Sequence, residues 1–472
     1  MSVKKIINLR KSLAVPAGLM GQALLLAINA EAANWYVRPN SSGNNTGSDW
    51  NNAWSLNSIN WGSVQPGDTL WLAGGNYGGG TLTTGTSGSS GNPILICRVQ
   101  SSDSVPTATA GWSASFDSTV SLGGIEIPSG SYLTIDGRIH GGISITITAS
   151  AGGNAVNGAD GGNISNITLN NIACIGPYTT GSVGGGGAHG FNFAPSNNTV
   201  SNVLIHGCSV VGMGESLRAS NWSNVIVEYC YLADTNPNSQ EHEDVMYSYP
   251  GTNVTFRYNL INNSPNDGIF FEFGGATNFS FYGNIYYNSA GWFICTKNDG
   301  STYGPVYIYN NIFMATSPNA GPGGCWMSNN GSSLSGTSYV ENNIFYNVSN
   351  QWSGSPGVVS DYNAYNSGAG QPSGETHSIT FSGQPWVNMP ANPEPVGAVV
   401  APWGTAGDFH LTSTAAPQFQ NGVALAANGY LNVDMSGTTR GSGGHWTIGT
   451  YQYGASPQPT PQPVTGMRIA QP

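Results

Sequence analysis

The chain has 472 residues, of which 39% are hydrophobic and 7% charged, and its formal net charge is -11. The hydrophobic share excludes a wholly disordered chain, because enough apolar side chains are present to form a core. The acidic balance argues against nucleic acid as a partner, since phosphate binding needs a surplus of lysine and arginine.

Residues 1–32 are typical of a secretory signal peptide. Basic residues precede the apolar stretch LLLAINA, and the small-residue motif AEA ends at Ala32, which is the usual order of such a segment. We expect cleavage after Ala32 and a secreted protein, either extracellular or at the cell surface. No later run is long and apolar enough to cross a bilayer, so we predict no membrane span.

A short segment recurs through the middle of the chain. The sequences NVLIHGC, NVIVEYC, NVTFRYN, NFSFYGN and PVYIYNN begin at residues 202, 224, 253, 278 and 305, which are 22 to 29 residues apart. The period-two alternation and the turns rich in Gly, Asn and Ser predict one strand per repeat and no helical repeat. We therefore predict an all-β fold, a parallel β-solenoid whose stacked coils share one core.

The seventh residues of these segments and of the later segment TSYVENN form a column at the turn that ends each strand. Stacked amides can hydrogen-bond along such a column at the strand spacing of about 4.8 Å. This column resembles the asparagine ladder of right-handed, single-stranded parallel β-helix proteins. At its start, a disulfide and a stacked pair of thiols are both geometrically possible. The column consists of Cys208, Cys230, Asn259, Asn284, Asn311 and Asn343.

Both ends of the chain resemble secreted parallel β-helix proteins. WYVRPNSSGNNTGSDWNNAWSL and VQPGDTLWLAGGNY are similar to their N-terminal segment, and GDFHLTSTAAPQF and HWTIGTYQY to their closing segment. The resemblance implies an N-terminal cap with the first coils over 33–100, a parallel β-helix over 101–400 and a closing segment over 401–453. Residues 454–472 are rich in Pro and Gln, and we expect a flexible tail.

A second strand precedes each repeat, and these strands align as HGFNF (189–193), ESLRA (215–219), EDVMY (243–247), DGIFF (267–271) and AGWFI (290–294). Their first residues predict carboxylates on three consecutive coils. Like charges on paired strands destabilise a sheet, so this column needs a metal ion, a shared proton or solvation. The predicted column is His189, Glu215, Glu243, Asp267 and Ala290.

Calcium is the most economical metal for such a column, because it takes six to eight oxygen ligands in irregular geometry. The expected ligands are Glu215, Glu243, Asp244 and Asp267. Acids that cap turns at a solvated rim are the alternative to a metal site.

Alternation along these strands predicts two faces. Leu217, Tyr247, Ile269, Phe271 and Ile294 should point inward, and Asn192, Arg218, Met246, Phe270 and Phe293 outward. Exposed aromatic rings beside carboxylates can bind sugars, although a covering loop would explain the rings as well. The expected substrate-binding residues are His189, Phe270, Glu272, Phe293, Lys297 and Asp299.

The resemblance to pectate-lyase-like enzymes implies a calcium-assisted β-elimination on a uronate polysaccharide, with a Lys or Arg that removes the proton. Arg218 is the better candidate base, because Lys297 falls about 23 Å further along the strand direction. The candidate catalytic residues are Arg218, His242, Glu243, Asp244 and Asp267.

Two alternatives remain open. A glycoside hydrolase would use paired carboxylates, with Glu243 and Asp267 about 4.8 Å apart or Glu215 and Asp267 about 9.6 Å apart. The chain lacks the motif set of polygalacturonase-like hydrolases, which counts against that family. The third alternative is a non-catalytic, glycan-binding or adhesive surface rod. In each case we expect a monomer.

Overall fold

The computed structural model of the protein describes residues 32–148, 153–177, 187–233, 244–262, 267–272, 274–287, 291–296, 300–314, 326–328, 333–348, 357–366, 371–389, 407–425, 432–441 and 444–454. The helical elements among these residues are single turns. They are the α-helical turn Ser104–Thr107 and the 3-10 turns Trp50–Asn52, Leu56–Ser58, Ala114–Phe116 and Ala416–Phe419. None of the described helices has the length and hydropathy needed to cross a bilayer.

Three long sheets form the body of the protein, and neighbouring strands in each run parallel. The first sheet contains Asn34–Val37, Thr69–Leu72, Ile94–Arg98, Gly130–Asp136, Ile164–Asn170, Val200–His206, Trp222–Glu228, Gly251–Arg257, Ala276–Tyr282, Val306–Tyr309, Ser338–Glu341 and Val358–Asp361. The second contains Thr81–Thr83, Gly124–Ile127, Gly153–Gly158, Ala188–Phe193, Glu215–Ala219, Met246–Ser248, Ile269–Phe271, Ile294–Thr296 and Trp326–Ser328. The third contains Gly75–Asn76, Val120–Leu122, Ile143–Thr146, Ile172–Ile175, Ser209–Val211, Tyr231–Ala233, Leu260–Asn262, Ile285–Tyr287, Ile312–Met314, Ile344–Tyr346, Ala364–Asn366 and Ile379–Phe381.

From Thr69 to Ser328 the chain visits the three sheets in turn, so each of these coils adds one strand to each sheet, and the later coils add described strands only to the first and third. This arrangement confirms the predicted right-handed parallel β-helix. Two small sheets complete the fold. Thr302–Tyr303 pairs in parallel with Ser333–Leu334, and Trp386–Asn388 pairs antiparallel with Asp408–Leu411.

The predicted ladder is present at the turn between the first and third sheets. Oδ1 of Asn284 accepts hydrogen bonds from the backbone N–H of Asn259 at 2.9 Å and from its side-chain amide at 3.0 Å. The same pattern repeats along the column and continues past the predicted last member to Asn363. The ladder therefore satisfies amides that the turn buries completely.

Cys208 and Cys230 begin this ladder as free, buried thiols. Their Sγ atoms lie 3.4 Å from the carbonyl oxygen of His206 and 3.2 Å from that of Glu228, respectively. Of the two arrangements that the sequence allows, the structure therefore contains the thiol pair.

A second asparagine ladder, which the sequence analysis missed, runs along the outside of the first sheet. One asparagine in each of five successive strands has a φ between 53° and 57°, in the left-handed region that asparagine tolerates well. Their side chains bond from coil to coil, for example from Nδ2 of Asn253 to Oδ1 of Asn224 at 3.0 Å. The members are Asn166, Asn202, Asn224, Asn253 and Asn278.

The C-terminal part of the chain packs on the outer face of the third sheet. Met435, Trp446 and Ile448 share one buried apolar cluster with outward residues of that sheet, such as Ile312 and Ile344.

Candidate functional site on the second sheet

The second sheet presents two outward rows of side chains, separated by two successive inward positions. The inward pair is seen clearly at Val245 and Met246, which are both fully buried in the core. The first row is Asn154, His189, Glu215, Asp244, Asp267 and Trp292. The second row is Glu126, Asn157, Asn192, Arg218, Tyr247, Phe270 and Cys295.

The structure pairs His189 with Glu215, as expected, but the predicted register fails further along. Leu217 pairs with Met246, which places Asp244 rather than Glu243 beside Glu215. Ile269 pairs with Ile294, so Trp292 and not Ala290 follows Asp267. The alignment slipped by one residue and then by two, because the loops between coils differ in length and a strand's register is easily shifted.

This slip reverses the expected direction of several side chains. Tyr247, expected inside, pairs with Arg218 in the second outward row, whereas Met246, expected outside, belongs to the core. Phe293 is also wrong as an exposed sugar-binding ring. It is 1% exposed and packs against Tyr286 and Phe313, with ring centroids 5.9 and 5.4 Å away. The physical reason is the inward pair at each coil, which breaks strict alternation.

Glu215 and His189 form the centre of the site. Glu215 is completely buried, and among the described residues neither of its carboxylate oxygens has a hydrogen-bond donor. Nε2 of His189 lies 3.3 Å from its Oε2. Nδ1 of His189 lies 2.9 Å from Oδ1 of Asn154. Since that amide oxygen can only accept, Nδ1 is the donor, and Nε2 of the neutral ring keeps its lone pair.

Arg218 closes the site from the second row. Its Nη1 lies 3.4 Å from Nε2 of His189, and its guanidinium carbon lies 5.9 Å above the ring centroid of Tyr247. Tyr247 stacks on Phe270 with centroids 5.8 Å apart. Arg218 is the only Lys or Arg in the described strands of the second sheet. The row therefore places one fixed cation beside aromatic rings.

Asp244 and Asp267 hold the next coils together. Oδ1 of Asp244 accepts the backbone N–H of Asp267 at 2.9 Å, and Oδ1 of Asp267 accepts that of Trp292 at 2.6 Å. Burial raises the pKa of Asp267, while hydrogen bonds from Trp292 and from the Cys295 thiol partly counteract the rise. These acids thus have a structural role that resembles the ladder, and Asp267 favours its protonated form more than an exposed carboxyl would.

The remaining predicted residues are placed as follows. Glu272 is 2% exposed and directly follows the second-sheet strand Ile269–Phe271. His242, Glu243, Lys297 and Asp299 lie outside the described residues.

A polar cluster that the sequence analysis missed lies one coil before His189. Nδ2 of Asn157 donates to Oε1 of Glu126 at 2.8 Å and to Oδ2 of Asp160 at 2.5 Å. Burial raises the pKa of Glu126; the amide of Asn157 lowers it, and the charge of Asp160 raises it. The side chain of Asn192 donates to Oδ1 of Asn157 at 2.8 Å. Aligning the strands GIEI and NAVNG with the later ones would have found this extension of the second row.

The described residues do not by themselves assemble the expected calcium site. No group of three His, Cys, Asp or Glu side chains among them is arranged to hold a metal ion. One oxygen each of Asp244 and Asp267 is used by a backbone N–H, and Glu215 alone offers two oxygens without a donor. Calcium binding would need further oxygens, such as those of Glu243, from outside the described residues.

No family model and no curated protein sequence matches the chain. Among solved structures, it is similar to the pectate lyase Pel9A, with a TM-score of 0.52 and 16% identity over 89% of this chain and 96% of that one. The two proteins share the right-handed parallel β-helix fold. At this identity the pectate lyase supports the fold alone.

Two other solved structures are similar at a lower level. XylC in complex with xylose has a TM-score of 0.48 and 8% identity over 89% of this chain and 98% of that one. The GH136 lacto-N-biosidase from Eubacterium ramulus has a TM-score of 0.43 and 13% identity over 75% of this chain and 67% of that one.

Proposed function

We propose that the protein cleaves a uronate-containing polysaccharide by β-elimination on the outer face of the second sheet. The observation that carries this proposal is the contact of His189 with both Glu215 and Arg218 on the next coil. A base for the C5 proton and a fixed cation beside the carboxylate are two groups that an elimination needs from the protein.

His189 is the base in this proposal. Because Nδ1 donates to Asn154, the lone pair of Nε2 can take the proton from C5 of the uronate ring. The imidazolium that forms then lies 3.3 Å from the Glu215 carboxylate, which stabilises it. Glu215 is thus a positioning and charge-stabilising residue.

Arg218 is better suited to bind charge than to remove a proton. An arginine side chain stays protonated in proteins, so the earlier expectation of Arg218 as base is replaced by a role beside the uronate carboxylate. As the C5–H bond breaks, its electron pair forms the C4–C5 double bond, and negative charge spreads onto that carboxylate. A guanidinium at this place stabilises the charge.

The departing chain takes its proton from water in this proposal, because Asp267 lies three coils from His189, about 14 Å by the strand spacing. Breaking of the C4–O bond leaves an alkoxide on the departing chain, and a water molecule protonates it. The products are one chain with an unsaturated uronate end and one with a new reducing end. Phe270 and Tyr247 provide stacked rings on which sugar faces can pack.

Hydrolysis is the second candidate, and one observation favours it. Glu215 and Asp267 lie on coils separated by one intervening coil, which corresponds to about 9.6 Å between strands. This separation is at the upper end of that found in inverting glycosidases. Asp267 would be the acid, and Glu215 would activate water. A non-catalytic glycan-binding rod would need neither residue for turnover.

The proposal also covers the localisation and the oligomeric state of the protein. We propose a secreted, monomeric protein that meets its polysaccharide outside the cell, because residues 1–32 are typical of a signal peptide. Calcium assistance stays a proposal that a chelator can test.

Purified mature protein, incubated with polygalacturonate, alginate and a neutral xylan, tests the proposal. The ultraviolet absorbance of the C4–C5 double bond should rise on at least one uronate polymer and not on xylan. Loss of this signal in EDTA and its return with Ca²⁺ would show calcium dependence. Binding to a uronate polymer with no product would contradict the proposed function and favour the rod.

A further inference from the structure

A cleft of about 530 Å³ lies at the last coils of the helix, away from the second sheet. Tyr362, at the turn after the first-sheet strand Val358–Asp361, lies on one side together with His377. Residues 420–422, 424 and 444–446 of the C-terminal segment contribute the rest, including Asn421 and Trp446. No residue of the second sheet lines it.

Planar rings are held rigidly at this cleft. The rings of Tyr362 and His377 are parallel within 3°, with centroids 4.5 Å apart. Asp361 fixes both residues, since its Oδ1 accepts the backbone N–H of Tyr362 at 2.9 Å and that of His377 at 2.8 Å. Oδ2 of Asp361 lies 2.7 Å from Nδ1 of His377. The His377 side chain is nevertheless 56% exposed, so a ligand can reach its ring. The contacts with Asp361 and Tyr362 hold that ring in place before a ligand binds.

The charge around the cleft disfavours an acidic ligand. None of the described lining residues is a lysine or an arginine. Asp361 bonds to His377, and Glu341 pairs with Asp361 on the preceding coil. A uronate carboxylate would therefore meet like charge with no arginine or lysine to offset it. Planar rings beside the amide side chains of Gln420 and Asn421 instead suit a neutral ring that carries hydroxyls.

We infer that this cleft is an accessory binding site for a neutral sugar residue, separate from the second sheet. The ring of His377, stacked on Tyr362, offers one planar surface, and Asn421 offers hydrogen bonds to hydroxyls. Because Oδ2 of Asp361 only accepts, Nδ1 of His377 is a donor, which leaves Nε2 of the neutral ring as an acceptor for a sugar hydroxyl. The inference does not depend on cleavage at the second sheet, so it survives if the proposed elimination fails.

Calorimetric titration of the mature protein with xylohexaose, cellohexaose, mannohexaose and hexagalacturonate tests the inference. We expect at least one neutral oligosaccharide to bind, and His377→Ala to weaken that binding about tenfold, in line with the energy of one aromatic contact. Asn421→Ala changes an exposed residue and should weaken the same binding without a change in thermal stability. This second variant keeps the test valid if His377→Ala fails to fold.

His410→Ala is the matched control. Nδ1 of His410 lies 2.6 Å from Oδ1 of Asp408, and its ring stacks on Tyr451 with centroids 4.0 Å apart, but none of the three lines the cleft. Binding should be unchanged in this variant. The inference is overturned if no neutral oligosaccharide binds, if hexagalacturonate alone binds, or if His377→Ala and Asn421→Ala both bind like the parent protein.

Discussion

Nε2 of His189 lies 3.3 Å from Oε2 of Glu215, on the next coil of the second sheet. The register of the sheet creates this contact, because the two residues are direct partners in neighbouring parallel strands. Glu215 is completely buried and lacks a hydrogen-bond donor among the described residues. A buried carboxylate of this kind is costly unless a positive charge can form beside it. In the proposed elimination, the Glu215 carboxylate would stabilise the imidazolium that forms when His189 takes the C5 proton.

Replacement of His189 by alanine should abolish most of the turnover. Loss of a general base reduces the rate by roughly 10²- to 10⁴-fold, and we expect a fall in kcat of that order with a smaller change in KM. The control is His206→Ala, because Nδ1 of His206 lies 2.9 Å from Oε1 of Glu228 on the first sheet, outside the site. Equal activity of the two variants would contradict the role of His189.

Replacement of Asp267 by asparagine separates its chemical role from its structural one. The amide keeps an oxygen that can accept the Trp292 N–H, so the folded state should persist. Asp267 takes no part in the proposed elimination, so kcat should change by less than about threefold, whereas loss of the general acid in hydrolysis would lower kcat by roughly 10²-fold or more. Burial raises the pKa of Asp267, so in hydrolysis the activity of the parent protein should decline as pH rises through that pKa.

The pH profile distinguishes the two roles of Asp267. If the carboxyl is the proton donor, the decline in kcat that it causes at higher pH should be absent from the residual activity of Asp267→Asn. A variant that keeps full activity would show that Asp267 serves only to bind the next coil.

Replacement of Asn284 by alanine should destabilise the helix strongly. The change removes the acceptor for the N–H of Asn259 and two donated bonds, to Phe256 O and to Asn311 Oδ1, all within the buried core. Unpaired buried groups cost about 1–3 kcal/mol each, so we expect a loss of about 3–5 kcal/mol in the free energy of unfolding measured with urea. Asn253→Ala, in the exposed second ladder, is the matched control and should cost about 1 kcal/mol or less.

Replacement of Glu341 by glutamine should stabilise the protein above pH 6. Burial, with the nearby charge of Asp361, raises the pKa of Glu341 to about 6. A carboxyl with a raised pKa is favourable to folding below its unfolded pKa, and this contribution is lost as pH rises through about 6. Because the side chain is only partly buried, we expect a gain of about 1 kcal/mol after allowance for solvent screening.

Glu228→Gln should show the opposite pH dependence. Burial would raise the pKa of Glu228, but the hydrogen bond from His206 and the charge of Arg257 outweigh it and lower that pKa. Its contribution is present above the unfolded pKa and lost as pH falls through the folded one. Melting temperatures should therefore fall less on acidification in the variant than in the parent, and the same pH slope in both would contradict this assignment.

The sequence allowed the fold and the buried ladder to be predicted because both depend on a regular local pattern. Each first-sheet strand alternates simply, and its ladder residue follows one left-handed position, such as Tyr258 before Asn259, with φ 57°. The asparagines of the second ladder recur in the same repeats, for example in SNV and TNV. Their left-handed φ, which turns these side chains into a ladder, cannot be predicted from the alternation of apolar and polar residues.

The second sheet was harder to predict, because its strands are short and its loops vary in length. A single extra residue before Asp244 moved the alignment to Glu243, and the inward pair at 245 and 246 broke the assumed alternation. The hydrogen-bond partners of the site residues could be identified only from the three-dimensional structure. Nothing in the sequence indicates that Asn154 contacts His189, yet this contact fixes the tautomer of the imidazole ring. Glu126 and Asn157, by contrast, could have been found from the sequence, since the strands GIEI and NAVNG align with the later strands of the second sheet.

The measurement that tests the central claim most directly is a parallel count of unsaturated uronate ends and new reducing ends, released by the mature protein from the uronate polymer on which it is most active. Elimination at the second sheet predicts one unsaturated end for each new reducing end, and loss of both in His189→Ala. New reducing ends without unsaturation would contradict elimination and support hydrolysis by Glu215 and Asp267.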